Sequence, residues 1–495
     1  MLPGVAPAWK SFRISAPWRR GDDIWWGMAH SSRVISYLMR METFVQGSRI
    51  AAPVEAVFRW HSAPGALERL TPPWERVIVV ERTGGIEDGS RVVLRVGVGP
   101  LRVRWTTIHR DYVEGRQFRD EQVKGPFARW IHNRFFQPDG PNACMIEDRA
   151  EYGLPFGPLG RLLGDRFTRR KLERMFGYRH AITQGDILAH LTAGGGAHMR
   201  VAVTGSRGLV GSALVPFLTA GGHRVTRLVR RSPGGDDLLW DPAAGLGDPS
   251  PLEGVGAVVH LAGENIAPRR WTPRGKDEIR RSRVEGTRRL CESLARLSRP
   301  PKALVSASAV GFYGNRGDEI LTEDSAPGKD FLAEVCREWE AATGPASRGG
   351  IRVVHLRFGM ILSPAGGALK KMLLPFRLGL GGRFGTGAQY VSWISIDDAI
   401  GAIHHAICNE SVAGAVNAVA PAPVTNAEFT RVLARVLSRP AVFPVPAFAA
   451  RMAFGEMADA LLLAGQRVTP FRLEASGYRF RYPDLESALR HLLGR

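Results

Sequence analysis

The sequence predicts two folded units in tandem, an antiparallel α+β domain over residues 41–191 and a doubly wound parallel α/β domain over residues 199–495. Three observations carry this reading. The segment Thr192-Ala193-Gly194-Gly195-Gly196-Ala197-His198 is too poor in large side chains to offer a core face and reads as a linker, 192–198. Directly behind it, the apolar run Met199 to Val203 ends in the glycine-spaced turn Thr204-Gly205-Ser206-Arg207-Gly208-Leu209-Val210-Gly211, followed by the amphipathic Ala213 to Ala220. That is strand, turn and helix in the order of a phosphate-binding βα unit. Ahead of the linker, short strand-like runs precede one long helical stretch, Leu159 to Leu191. A chain of 495 residues is too long for one ordinary domain of about 150 residues.

Residues 1–40, rich in Trp and Arg, show no regular pattern and are assigned no structure. From there the first domain reads in order. Strands are expected at Phe44 to Ile50, Val77 to Glu81, Arg91 to Val98, Leu101 to Ile108, Gln117 to Gln122, Arg129 to Phe136 and Ala143 to Tyr152. The alternation in Leu101-Arg102-Val103-Arg104-Trp105-Thr106 is that of an antiparallel strand with one wet face. Pro53 opens a helix reaching Trp60, because its fixed φ suits a first turn. Trp60, Trp74, Trp105 and Trp130 either line a cavity or fill the core.

In the second domain the three glycines allow a tight turn, close approach to a pyrophosphate and close packing of helix on strand, while the helix N-terminus presents free N–H groups. Gly205, Ser206, Gly208, Leu209, Val210 and Gly211 are therefore cofactor-binding candidates. The next strand, His223 to Val229, ends about 20 residues downstream, where a carboxylate would hold the ribose 2′-hydroxyl of NAD. Arg230 and Arg231 stand there instead, and guanidinium groups pair with a 2′-phosphate, so NADP is the expected cofactor. A further strand, Ala257 to Asn265, ends in small residues where backbone must pass a nucleotide closely, which adds Leu261, Ala262, Gly263 and Glu264 to the site. His260, inside an apolar run, reads as a core residue.

Two resemblances follow from these phrases. Residues 42 to 190, with Ser48-Arg49-Ile50-Ala51-Ala52-Pro53-Val54-Glu55-Ala56-Val57-Phe58 near the start and Tyr152-Gly153-Leu154-Pro155-Phe156-Gly157 near the end, resemble the START/SRPBCC superfamily, which implies a helix-grip fold around an apolar ligand. Residues 199 to 493 resemble a divergent, epimerase-like branch of the extended short-chain dehydrogenase/reductases. The phrases are Leu261-Ala262-Gly263-Glu264-Asn265, Arg270-Trp271-Thr272, Ser306-Ala307-Ser308-Ala309-Val310-Gly311-Phe312-Tyr313-Gly314, Trp339-Glu340 and Trp393-Ile394-Ser395-Ile396-Asp397-Asp398. This resemblance implies a Rossmann-type sheet, a small C-terminal lobe with an extension from about residue 420, and an NADP-dependent oxidoreductase or epimerase-like activity on a small molecule.

The same resemblance places a catalytic serine at Ser308 and calls for a Tyr-x-x-x-Lys pair on the helix around Lys329 to Glu340. No tyrosine lies between Tyr313 and Tyr390, so that helix cannot carry the pair. Ser308 and Tyr313 remain the catalytic candidates, with Glu334 or a cofactor-held water as partner; the alternatives are reduction by cofactor alone, or a non-catalytic NADP-binding regulator or scaffold. Arg377 and Arg383 are candidates to hold an anionic group. Asp397 and Asp398 fit helix N-cap roles.

Composition narrows the remaining classes. Hydrophobic residues at 44% and charged residues at 23% match a soluble globular chain. The net charge of +20 is spread over both halves, with no basic tail or block, so no nucleic-acid partner is expected. Cys144, Cys291, Cys336 and Cys408 lie far apart, which suggests neither a metal site nor disulfides and fits a cytoplasmic protein. No run approaches 18 uninterrupted apolar residues, so no membrane span is expected.

Overall fold

The computed structural model describes residues 41–98, 101–192, 198–266 and 270–495. The extension over 1–40 and the linker residues 193–197 lie outside the described residues. The first domain is a fully antiparallel sheet of β1 (Glu42–Ile50), β2 (Val77–Thr83), β3 (Arg91–Val98), β4 (Leu101–Val113), β5 (Gln117–Lys124), β6 (Arg129–Pro138) and β7 (Cys144–Gly153), in the order β1-β7-β6-β5-β4-β3-β2. Helices α1 (Val54–Ser62) and α2 (Ala66–Arg69) follow β1, and the 36-residue α3 (Gly157–Thr192) closes the domain. Period-two patterning decides which face is covered: Cys144, Ile146, Asp148, Ala150 and Tyr152 of β7 are all buried against the helices, with Phe44 of β1 stacked on Phe176 of α3 at 5.4 Å. In β4 the alternation holds for Val103 and Trp105 but not for Leu101, which is exposed at the end of the strand.

One inward position of β7 is charged. Asp148 accepts hydrogen bonds from Arg134 (2.6 and 2.9 Å), His132 (2.9 Å) and His180 of α3 (2.7 Å), and His180 also bonds the Ser48 hydroxyl at 2.7 Å. Burial would raise the Asp148 carboxyl, but the Arg134 guanidinium and the two imidazoles hold it well below the carboxylate range. Such a cluster is tolerated in a core only because each charge is paired.

The second domain is a fully parallel sheet of β8 (Arg200–Thr204), β9 (Arg224–Val229), β10 (Leu238–Leu239), β11 (Ala257–His260), β12 (Ala303–Ala309), β13 (Arg352–Phe358) and β14 (Gly414–Ala418), ordered β10-β9-β8-β11-β12-β13-β14. Helices on its faces include α4 (Leu209–Ala220), α5 (Pro273–Ala295), α6 (Phe331–Ala341), α7 (Gly367–Arg377), α8 (Ile396–Cys408), α9 (Asn426–Leu437) and α10 (Leu485–Leu493). Being covered on both sides, the central strands β8 and β11 are apolar runs without alternation: Val201, Ala202 and Val203 are wholly buried. The strand expected to reach Asn265 stops at His260. The Thr204 hydroxyl takes the N–H groups of Leu261 and Ala262 (3.1 and 3.2 Å), so the chain leaves the ladder and runs on as loop.

Neither Asp397 nor Asp398 is the N-cap expected of it. Ser395 caps α8 by accepting from the Asp398 N–H at 2.9 Å, and both aspartates lie buried inside the first turn. Asp398 receives the N–H groups of Arg481 and Tyr482. Asp397 serves the junction between the domains: Arg69 of α2 bonds Asp186 of α3 in two places (2.7 and 2.8 Å) and Asp397 at 2.7 Å, while Arg481 reaches Asp186 (2.7 Å) and His491 reaches Asp397 (3.2 Å). The loop before α2 also comes close to α4, so that a Cβ on Gly65 would lie 2.4 Å from the Pro216 carbonyl oxygen.

Candidate functional site

The carboxyl ends of β8, β9 and β11 open into a cleft of about 980 Å³. This is where ligands of open parallel sheets bind, outside the strand ends at the change of winding direction. Gly205 ends β8 with φ +65°, and a Cβ there would lie 2.7 Å from the Leu261 carbonyl carbon. Gly208 closes the turn by donating its N–H to the Gly205 carbonyl at 2.9 Å and is the N-cap of α4, with no side chain occupying the orphan N–H groups of the first turn. Gly211 brings helix onto strand; a Cβ on it would sit 2.3 Å from the Gly205 oxygen.

Gly205, Ser206, Gly208, Arg230, Arg231, Leu261, Ala262, Gly263 and Glu264 all line this cleft. Leu209, Val210 and Gly211 stand on the first turn of α4 and are not lining residues; the Leu209 side chain packs towards Gly366 and Gly367. The structure adds Arg207, Leu239, Trp240, Asp241, Pro242 and Ser282. Arg207 was in plain view inside the glycine turn, whereas Trp240 and its neighbours reach the cleft only because β10 adds to the sheet edge beside β9. His260 is a core residue: it bonds the hydroxyls of Thr204 (2.8 Å) and Thr287 (3.0 Å), and burial lowers its pKa to about 4.

Ser308 and Tyr313 fall into one buried network at the carboxyl end of β12. Ser308 donates to Glu340 Oε1 at 2.7 Å, and Arg357 of β13 grips both oxygens of Glu340 at 2.8 Å. Arg357 also donates to the Tyr313 hydroxyl (2.9 Å), which in turn donates to Asn417 Oδ1 (2.7 Å). Tyr313 is fully buried, and burial raises its pKa against the opposing effect of Arg357. Glu334 is exposed on α6 and is not the partner of either residue; Glu340, further along the same helix, is the partner of Ser308, and Arg357 and Asn417 are those of Tyr313. Arg357 and Asn417 were missed because they come from strands distant in sequence, neighbours only through the register Arg357 to Asn417. Arg377 and Arg383 are exposed and do not line the cleft.

This sheet order with its glycine turn and cleft defines an extended short-chain dehydrogenase/reductase fold. Residues 201–418 match the NAD dependent epimerase/dehydratase family, residues 50–176 the polyketide cyclase / dehydrase and lipid transport family, and residues 445–492 a domain of unknown function, DUF1731. An epimerase family protein of Mycobacterium bovis, Mb2239, is 46% identical over 294 residues, spanning 59% of this chain and 97% of that protein. The human epimerase family protein SDR39U1 is 41% identical, spanning 60% of this chain and 100% of its own. The chain belongs to this epimerase family, with a polyketide-cyclase-type domain fused ahead of it. Among solved structures, a nucleoside-diphosphate sugar epimerase from Corynebacterium glutamicum matches across both domains, with TM-score 0.75, 35% identity and coverage of 91% of this chain and 90% of that one. The human SDR39U1 structure with NADPH matches with TM-score 0.56 at 39% identity, covering 60% of this chain and 99% of that one. No helix among the described residues is long and apolar enough to cross a membrane.

Proposed function

We propose that the protein is an NADP(H)-dependent oxidoreductase or epimerase-like enzyme acting on a small-molecule substrate, with the first domain as an accessory module for an apolar ligand. One observation carries the cofactor assignment. Arg207, Arg230 and Arg231 border the cleft, exposed and without a hydrogen-bond or ion-pair partner among the described residues, while the nearby Asp237 carboxylate is already gripped by Arg227 at 2.6 and 2.9 Å. Three free guanidiniums around a nucleotide-sized cleft favour a ligand with an extra phosphate. The fit extends to the glycine turn, whose missing side chains leave room for a pyrophosphate against the amides of α4. The relative solved with NADPH supports the same choice.

When bound, the nicotinamide supplies the carbon that gives or takes a hydride. The chain's own residues bind and orient it: the α4 amides and Ser206 hold the pyrophosphate, Arg230 and Arg231 the 2′-phosphate, and Leu261 to Glu264 border the nucleotide. Ser308 is the group that meets a substrate hydroxyl: its own proton goes to Glu340 at 2.7 Å, which leaves its oxygen to accept the substrate proton, and Arg357 fixes that carboxylate. A second reading, a non-catalytic NADP-binding regulator, is favoured by one feature: both hydrogen-bonding directions of the buried Tyr313 hydroxyl are already used.

The apolar-ligand role of the first domain is supported by its family match and by Phe156, Leu162, Leu163 and Phe167, exposed at the head of α3. Displacement of an environment-sensitive dye from the protein tests it. The cytoplasmic placement rests on four unpaired cysteines.

Titration with NADPH and with NADH is the deciding experiment. Arg230→Ala is expected to weaken NADPH about tenfold or more, roughly 1.4 kcal/mol, and to leave NADH unchanged. Equal weakening of both nucleotides would remove the 2′-phosphate assignment. A panel of carbonyl compounds then separates enzyme from regulator: oxidation of NADPH that falls at least about 100-fold in Ser308→Ala supports catalysis through Ser308, and a panel that never oxidises NADPH supports the regulator.

A further inference from the structure

His190 near the end of α3, His223 just before β9 and His404 on α8 meet where the two domains join, their donor nitrogens all within 4.8 Å of one another. None belongs to the cleft or to the Ser308 network. His223 and His404 are 7% and 2% exposed. The Nε2 of His190 donates to the Phe217 carbonyl at 3.1 Å, which leaves Nδ1 with the lone pair, and that atom is buried without a hydrogen-bond partner. Leaving a buried lone pair unsatisfied is costly unless the site has another use for it. The Nε2 atoms of His223 and His404 stand 3.2 Å apart as a hydrogen bond, and the proton between them is the one a bound cation would displace. A tetrahedron built on zinc–nitrogen bonds of about 2.0–2.1 Å has edges of about 3.3 Å.

The surroundings hold these rings in place. His190 stacks on Phe217 with centroids 4.4 Å apart, and a Cβ on Gly221 would fall 2.1 Å from His190 Cε1. A backbone carbonyl behind a ligating imidazole, as Phe217 stands behind His190, is the device that fixes tautomer and ring orientation at metal sites. The other polar contacts are long: the Met199 N–H reaches His223 Nδ1 at 3.4 Å, and the Cys408 thiol lies 3.5 Å from His404 Nε2. We propose that His190, His223 and His404 form a site for one late first-row divalent cation of the zinc class, tying α3 of the first domain to β9 and α8 of the second. Imidazole nitrogens suit such ions. The ligands come from three distant parts of the chain, which is why short-motif spacing rules do not register them.

The test uses the full chain, freed of metal with a chelator and carrying no histidine tag, titrated with zinc chloride and with cobalt(II) chloride. One ion per chain is expected, with the intense visible absorption of tetrahedral cobalt and a raised thermal midpoint in zinc. His404→Gln and, separately, the more peripheral His190→Gln are each expected to weaken binding about a hundredfold. Absence of stoichiometric uptake by the unaltered protein overturns the proposal. Equal uptake in both variants also overturns it, by placing the ion elsewhere.

Discussion

Replacing Arg69 by methionine is expected to lower the unfolding free energy by about 3–5 kcal/mol, because it strands two buried aspartates, one from each domain. Arg69 is 6% exposed and bonds Asp186 and Asp397 at 2.7–2.8 Å, and only Arg481 and His491 remain as compensating partners once it is gone. Urea denaturation measures the loss, and Asp397→Asn on the Arg69→Met background should recover part of it, since the neutral amide no longer needs the guanidinium. If the single variant unfolds at the unaltered midpoint, the network does not join the domains energetically.

The same network sets an acid limit. Burial would raise both carboxyls, but the Arg69 guanidinium, helped by Arg481 at Asp186 and by His491 at Asp397, holds both below their ordinary value of 3.8. The unfolded chain therefore takes up protons first as pH falls, so this part of the stability is complete above the ordinary carboxylate range and is lost progressively below about pH 5. In Arg69→Met the fall in stability over that window should be shallower.

Gly208→Val is the second large effect: NADPH affinity should fall by about a hundredfold or more, roughly 2.7 kcal/mol, with little change in thermal stability. Gly208 has φ −75°, which any residue adopts, and the nearest atom to an added Cβ is the Gly205 oxygen at 3.1 Å, so the larger side chain goes into the cleft that Gly208 lines. Gly211→Val is the contrast, because its Cβ would meet the Gly205 oxygen at 2.3 Å and the Ser206 Cα at 2.6 Å, both backbone; this variant should lose folding stability along with nucleotide binding. Nucleotide binding retained in a folded Gly208→Val protein would move the cofactor away from the glycine turn.

Much of this architecture was legible because its determinants are local. Period-two alternation marks β4, where Val103 and Trp105 follow it, and the glycine turn marks the head of α4, and each needs only a few consecutive residues to express itself. The expected strands of the first domain match the observed ones to within a few residues, apart from β4, which runs on to Val113. Strand β11 is shorter than its composition suggests, because the Thr204 hydroxyl, delivered from a neighbouring strand, takes the N–H groups that follow His260. Asp397 and Asp398 suit a cap by residue type, yet the cap is their neighbour Ser395, because the helix begins one residue earlier, at Ile396.

The sequence by itself determined the tandem of an antiparallel and a parallel domain, the glycine turn and the arginines that follow β9, since these depend on residues close together in the chain. The tertiary structure alone decided which carboxylate serves Ser308, which residues besides the glycine turn wall the cleft, how Arg69 locks the domains through Asp186 and Asp397, and that three histidines converge beside them. Those contacts join residues from Glu340 to Ser308 and from Asp397 to Arg69, and a pairing at such separations is fixed by strand order and helix packing, which no local pattern encodes.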